Sequence, residues 1–80
     1  MNIDELNQPV ASNISTIILH KGLKQKSVAE KARLSKQAFN DMLNGRRLIK
    51  MADTLAIAKA LGVEVNDLFA DNSASRDKGA

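Results

Sequence analysis

Eighty residues with no cysteine and a 44% hydrophobic content allow one small domain at most, held by neither disulfides nor thiolate metal sites. Two phenylalanines are the whole aromatic inventory, so the core has to be aliphatic and base stacking has little to work with. The net charge of +3 is unevenly placed: from His20 to Lys50 nine basic residues face two acidic ones, a local +7, while the segments on either side carry −2 each. Basic charge confined to one segment is the electrostatic footprint expected for a polyanion partner.

The opening Met1-Asn2-Ile3-Asp4-Glu5 is acidic and unlike a signal peptide, and no apolar run is long enough to span a bilayer. A cytoplasmic protein with no membrane association is expected. Residues 1–8 read as a flexible N-terminal arm. Residues 9–70 are expected to form the folded domain. Pro9 suits the first turn of a helix, where its missing N–H costs nothing. Val10, Ile14, Ile17 and Ile18 then make an apolar stripe at helical spacing, and Gly22 supplies the left-handed stop.

A second helix is predicted from about Gln25 to Arg33, with Val28, Ala29 and Ala32 on its inner face. A third runs from Lys36 to Leu43 behind Ser35, a good N-cap; Phe39 and Met42 point inward, and Asn44-Gly45 ends it. The basic stretch Arg46 to Lys50 leads into a fourth helix with Leu55, Ile57, Ala58 and Leu61 as apolar residues and Gly62 as the stop. Val63, Val65, Leu68 and Phe69 suggest a short fifth helix, with Phe69 and Phe39 both in the core. Residues 71–80 are polar and small and are expected to be a disordered tail. Nothing alternates with the period of a strand, so the expected fold is an all-α, compact five-helix bundle.

Enzyme chemistry fails on inventory. His20 is the only histidine, so a histidine metal site has no second imidazole. Near a helix C-terminus its place is favourable against the helix dipole. Four scattered glycines make no phosphate loop. No catalytic residue, metal or cofactor is expected.

The two helices over 25–43, joined by a tight turn, have the spacing of a helix-turn-helix, whose second helix can enter the major groove of double-stranded DNA. Lys24 and Lys26 flank the start of the first, and Lys36 opens the second. A cation at a helix N-terminus is unfavourable by roughly 0.3–1 kcal/mol. A phosphate bound there reverses the sign, because backbone N–H groups and lysine then both face an anion. Such local conflicts tend to mark functional sites. On the outward face of the second helix, Lys36 can donate to guanine, Gln37 can pair with adenine, Ala38 can meet a thymine methyl, and Asp41 can accept from cytosine. Asn40 and Asn44 share that polar face.

With Gly22-Leu23, Gln25, Val28-Ala29, Leu34-Ser35, Phe39, Asn44-Gly45 and the closing Leu61-Gly62-Val63-x-Val65-x-x-Leu68-Phe69, the chain resembles the phage-repressor and Cro-type (XRE-type) helix-turn-helix family over roughly Ile14 to Phe69. The resemblance implies a lambda-repressor-like DNA-binding domain. It also implies a transcriptional regulator, expected to be a repressor, that binds an inverted-repeat operator as a homodimer with helix 35–43 in the major groove. By the same resemblance Lys36, Gln37, Ala38 and Asp41, joined by Asn40, face bases. Gln25 and Asn44 anchor phosphates, and Arg46 and Arg47 contact the backbone; Lys24, Lys26, Ser35 and Lys50 are expected to join them. The dimer surface implied is the last helix with the end of the one before it.

Three positions depart from the family pattern. Arg33 stands where the turn usually has glycine, at a cost of about 1 kcal/mol. Lys24 replaces the usual Ser or Thr cap. Leu43 replaces an acidic residue and suggests either a partner contact or extra core. Two other classes remain open from sequence: an antitoxin that binds a small protein partner (a toxin, or else an antirepressor) and autoregulates its operon, and a helix-turn-helix used only for protein interaction.

Overall fold

A computed structural model describes residues 2–70, and all regular structure within them is helical. The six helices are α1 (Ile3–Asn7), α2 (Val10–Lys21), α3 (Gln25–Lys31), α4 (Lys36–Leu43), α5 (Met51–Leu61) and α6 (Val65–Phe69). The expected tail over 71–80 lies outside the described residues. No described helix is long and apolar enough to cross a membrane.

The core is built from the predicted apolar spacings. Ile14, Phe39, Met42, Ile57 and Leu68 are fully buried, with Val28, Ala29, Ala58 and Leu61 around them. α3 packs on α4 and α5, and α2 on α4, α5 and α6, so Phe39 and Met42 of α4 are held from several sides. This fixes the outward face of α4. Truncating a buried aromatic such as Phe39 costs about 3–5 kcal/mol, a large share of the stability of so small a domain.

Four helix ends share one device. α2, α3, α4 and α5 are each followed by a left-handed residue, respectively Gly22, Arg33, Gly45 and Gly62. The next residue then reaches back five positions: Leu23 N–H to Ile18 O, Leu34 to Ala29, Arg46 to Asp41 and Val63 to Ala58, at 2.8–3.0 Å. Carbonyls that a helix end leaves without partners are satisfied in this way. Arg33, with φ 61°, is the one non-glycine residue of positive φ among those described. Its turn is what sets α4 across α3.

Several expectations need correction, and one open alternative is decided. Residues 3–7, expected within a loose arm, form α1, because Asn2 accepts from Glu5 N–H at 2.9 Å and Asn7 is buried at 1% exposure. The helix count is therefore six. α3 stops at Lys31, two residues short of the predicted Arg33, because the left-handed turn begins there. Pro9 precedes α2 as its N-cap instead of occupying the first turn. Phe69 is 45% exposed and Leu55 52% exposed, so neither is a core residue; Leu68 on α6 and Ile57 on α5 take the inward positions. Leu43 is partly buried against the core, which favours extra core over a partner contact.

Candidate nucleic-acid interface

The starts of α3 and α4 are both basic and both free of acidic residues in the first turn. Lys24 is the N-cap of α3 and makes no side-chain capping bond, so the first N–H groups of that helix have no side-chain acceptor from it. α4 is capped differently: Ser35 Oγ accepts from Ala38 N–H at 3.0 Å, as its sequence predicts. Lys24, Lys26, Ser35, Lys36 and Gln37 are all exposed.

A chain of polar contacts joins these ends to the rest of α4. Gln25 Nε2 donates to Asn40 Oδ1 at 3.3 Å, tying the first turn of α3 to the middle of α4. Asn44 Nδ2 donates to Asn40 O at 2.8 Å, closing the last turn. On the neighbouring row, Asp41 Oδ1 accepts from Gln37 Nε2 at 3.0 Å and lies 3.6 Å from Arg46 Nη1. Arg46 is two-thirds exposed and Asp41 about one-quarter exposed. Pairs this open contribute little to stability. Their effect is to hold Gln37 and Arg46 on either side of one carboxylate.

The stretch after α4 is pinned from both sides. Asp41 O accepts from Arg46 N–H at 2.8 Å and from Arg47 N–H at 3.2 Å. Asn7 Nδ2 donates to Arg47 O at 2.9 Å, and Asn7 Oδ1 accepts from Ile49 N–H at 2.9 Å. Arg46, Arg47 and Lys50 remain exposed. Lys50 is the N-cap of α5, where its own N–H donates to Asp53 Oδ2 at 3.0 Å.

Most of the expected site residues are therefore gathered into one stretch of surface chemistry. Lys36, Gln37, Asn40 and Asp41 run along the polar side of α4, and Gln25, Asn44 and Arg46 are linked to them directly. Ala38 is the exception: it is buried at 9% exposure, which leaves its methyl little surface to present. Gln25, Asn40 and Asp41 are only partly exposed and are engaged with neighbours. Two buried asparagines were missed by sequence reading. Asn13 sits at helical spacing from Val10 and Ile17 on α2, the one signal that would have placed it inward; Asn7 lies on α1, before the break at Gln8 and Pro9, and has no such signal. Asn13 donates to Leu68 O at 2.7 Å and Ala70 O at 2.9 Å, fastening the end of α6.

Two helices crossing through a left-handed turn, the second with a polar outer face and a buried Phe39-Met42 inner one, constitute a helix-turn-helix. The chain belongs to the helix-turn-helix domain family, which matches residues 19–69. Among solved structures it is similar to the clp gene regulator ClgR from C. glutamicum, at 22% identity over 79% of this chain and 82% of that one, with a TM-score of 0.73. It is also similar to the restriction-modification controller protein C.AhdI from Aeromonas hydrophila, at 24% identity over 82% of this chain and 97% of that one, with a TM-score of 0.72. Both are likenesses of fold. No curated protein matches the sequence.

Proposed function

We propose that the chain is a sequence-specific double-stranded DNA-binding transcriptional regulator, a repressor, that places α4 in the major groove as a homodimer. The observation that carries this reading is the pair of acid-free, lysine-bearing helix starts at α3 and α4, bonded to one polar helix face through Gln25–Asn40. A duplex turns those unfavourable charges into favourable ones, through phosphates at the start of α3 and through base edges at Lys36. Lys24, Lys26, Ser35, Asn44, Arg46, Arg47 and Lys50 are the phosphate-side residues, with Gln25 steadying Asn40 from α3. Lys36 and Gln37 lead the base contacts, since both are exposed on the first turn of α4. Asp41 orients Gln37 and Arg46.

Dimerisation has its own support. Leu6, Met51 and Phe69 are 54%, 60% and 45% exposed and line one depression beside Val10 and Ile49. Leu55, one turn beyond Met51 on α5, is 52% exposed. Grouped apolar exposure of this kind marks an association surface. Two copies joined there would present two α4 helices to half-sites about 34 Å apart.

Selection of bound duplexes from a random pool tests the proposal. The expected product is an inverted repeat with half-sites one helical turn apart. Recovery of unrelated sequences with no common half-site would contradict sequence-specific binding, and a single unrepeated half-site would contradict the dimer.

A further inference from the structure

α1 lies outside the part of the chain that matches the family, yet the side chain of its last residue is tied to distant parts of the chain. Asn7 is 1% exposed and makes three long-range hydrogen bonds. Its Nδ2 donates to Met42 O at 3.0 Å and Arg47 O at 2.9 Å, and its Oδ1 accepts from Ile49 N–H at 2.9 Å. One amide thus joins the last turn of α4 to the basic stretch that follows it. All three partners are backbone groups, so what Asn7 controls is the path of the main chain carrying Arg46, Arg47 and Lys50.

The same helix is seated on the turn between them. A Cβ placed on Gly45 would fall 2.8 Å from both Cβ and Oδ1 of Asp4. α1 therefore lies directly over the end of α4, with Asn7 as its fixed point.

We propose that Asn7 is a positioning residue for DNA binding: it sets the stance of the Arg46–Lys50 stretch against α4, making α1 a working part of the nucleic-acid interface. This rests on the DNA-binding reading above. Without the Asn7 amide, Arg47 O and Ile49 N–H lose their side-chain partner, the loop keeps Asp41 at its start and Asp53 at its end but no tie between them, and its cations no longer reach the phosphates together with the polar face of α4.

The test is a salt series of binding to a random-sequence duplex, with circular dichroism melts confirming that each variant is folded at the temperature used. Asn7→Ala is expected to lower affinity roughly tenfold and to flatten the dependence of log K on log salt by about one phosphate contact. In an Arg46→Ala/Arg47→Ala/Lys50→Ala background, Asn7→Ala should have no further effect on affinity or slope, an outcome that general destabilisation does not produce. If Asn7→Ala does not fold, Asn7→Ser, whose hydroxyl can still pair with one of the three groups, takes its place in both backgrounds. A folded Asn7 variant that binds like the parent, or that loses the same factor with and without these three cations, overturns the proposal and leaves the DNA-binding reading standing. A parent chain that binds no duplex at low salt overturns both.

Discussion

The helix-turn-helix and three of the four helices around it begin by opposite rules. α1, α5 and α6 each carry acid in the first turn: Asp4 and Glu5, Asp53, and Asp67. Asp53 and Asp67 also accept from the N–H of the preceding cap residue, Lys50 and Glu64, at 3.0 Å each. This is the arrangement that stabilises a helix start, through the dipole and through an otherwise unpaired donor. α3 and α4 have no acid there and have lysine instead. Three of the four flanking helices take this gain; α2, whose first turn holds neither acid nor lysine, does not. The helix-turn-helix forgoes the same gain, at roughly 0.3–1 kcal/mol per charge; the start of α3, where Lys24 makes no capping bond, stays open to an external anion, and α4 has only its Ser35 cap.

That contrast can be broken by moving charge across it. Lys36→Glu should produce the largest effect, with opposite signs in two measurements. Duplex affinity should fall below detection at moderate salt, while thermal stability stays level or rises, by up to roughly 1 kcal/mol. A loss of both would mean that Lys36 has a structural role. Gln37→Ala sharpens the contrast within the site. It should cost about 1–3 kcal/mol on a selected operator and relax preference at one base position, with little change on random duplex. An equal loss on both would move Gln37 to the phosphate side.

Asp67→Ala probes the other side of the contrast. Removing the acceptor for Glu64 N–H should lower stability by about 0.5–2 kcal/mol in a denaturant titration and leave monomeric affinity for DNA unchanged. The smallest effect expected is at the turn. Arg33→Gly relieves a left-handed backbone on a side chain (φ 61°) and should raise stability by up to about 1 kcal/mol, seen as a higher melting temperature. A lower one would show that the arginine side chain contributes something the turn geometry does not require.

The legible parts of the fold were those written in short-range physics. Ser35 caps α4, Asn44-Gly45 ends it, and Gly22 and Gly62 stop α2 and α5, because each depends on one residue's own backbone preference or side-chain reach. The inward set Ile14, Val28, Phe39, Met42, Ile57 and Leu68 follows from periodicity. Most of the candidate site was readable for the same reason, since the outward face of α4 is what periodicity leaves over. α1 was not legible. Asn7 gains its place from carbonyls and an amide 35 to 42 residues away, and no local signal encodes those partners. Phe69 failed for a related reason: on the five-residue α6 Leu68 takes the inward position, and spacing alone does not choose between the two. Ala38 shows the converse, a small residue on a helix taken as outward-facing but held close against the core.

The central claim is that the basic start of α3 and the Arg46–Lys50 stretch exist for a phosphate backbone, with Lys36 and Gln37 of α4 contacting bases. Its most direct test is the affinity of the intact chain for duplex DNA measured across a range of salt concentrations. Each phosphate neutralised contributes about −0.9 to the slope of log K against log salt. Several such contacts predict tight binding at low salt that weakens steeply as salt is added. Binding that is absent at low salt, or that does not change with salt, would contradict the account.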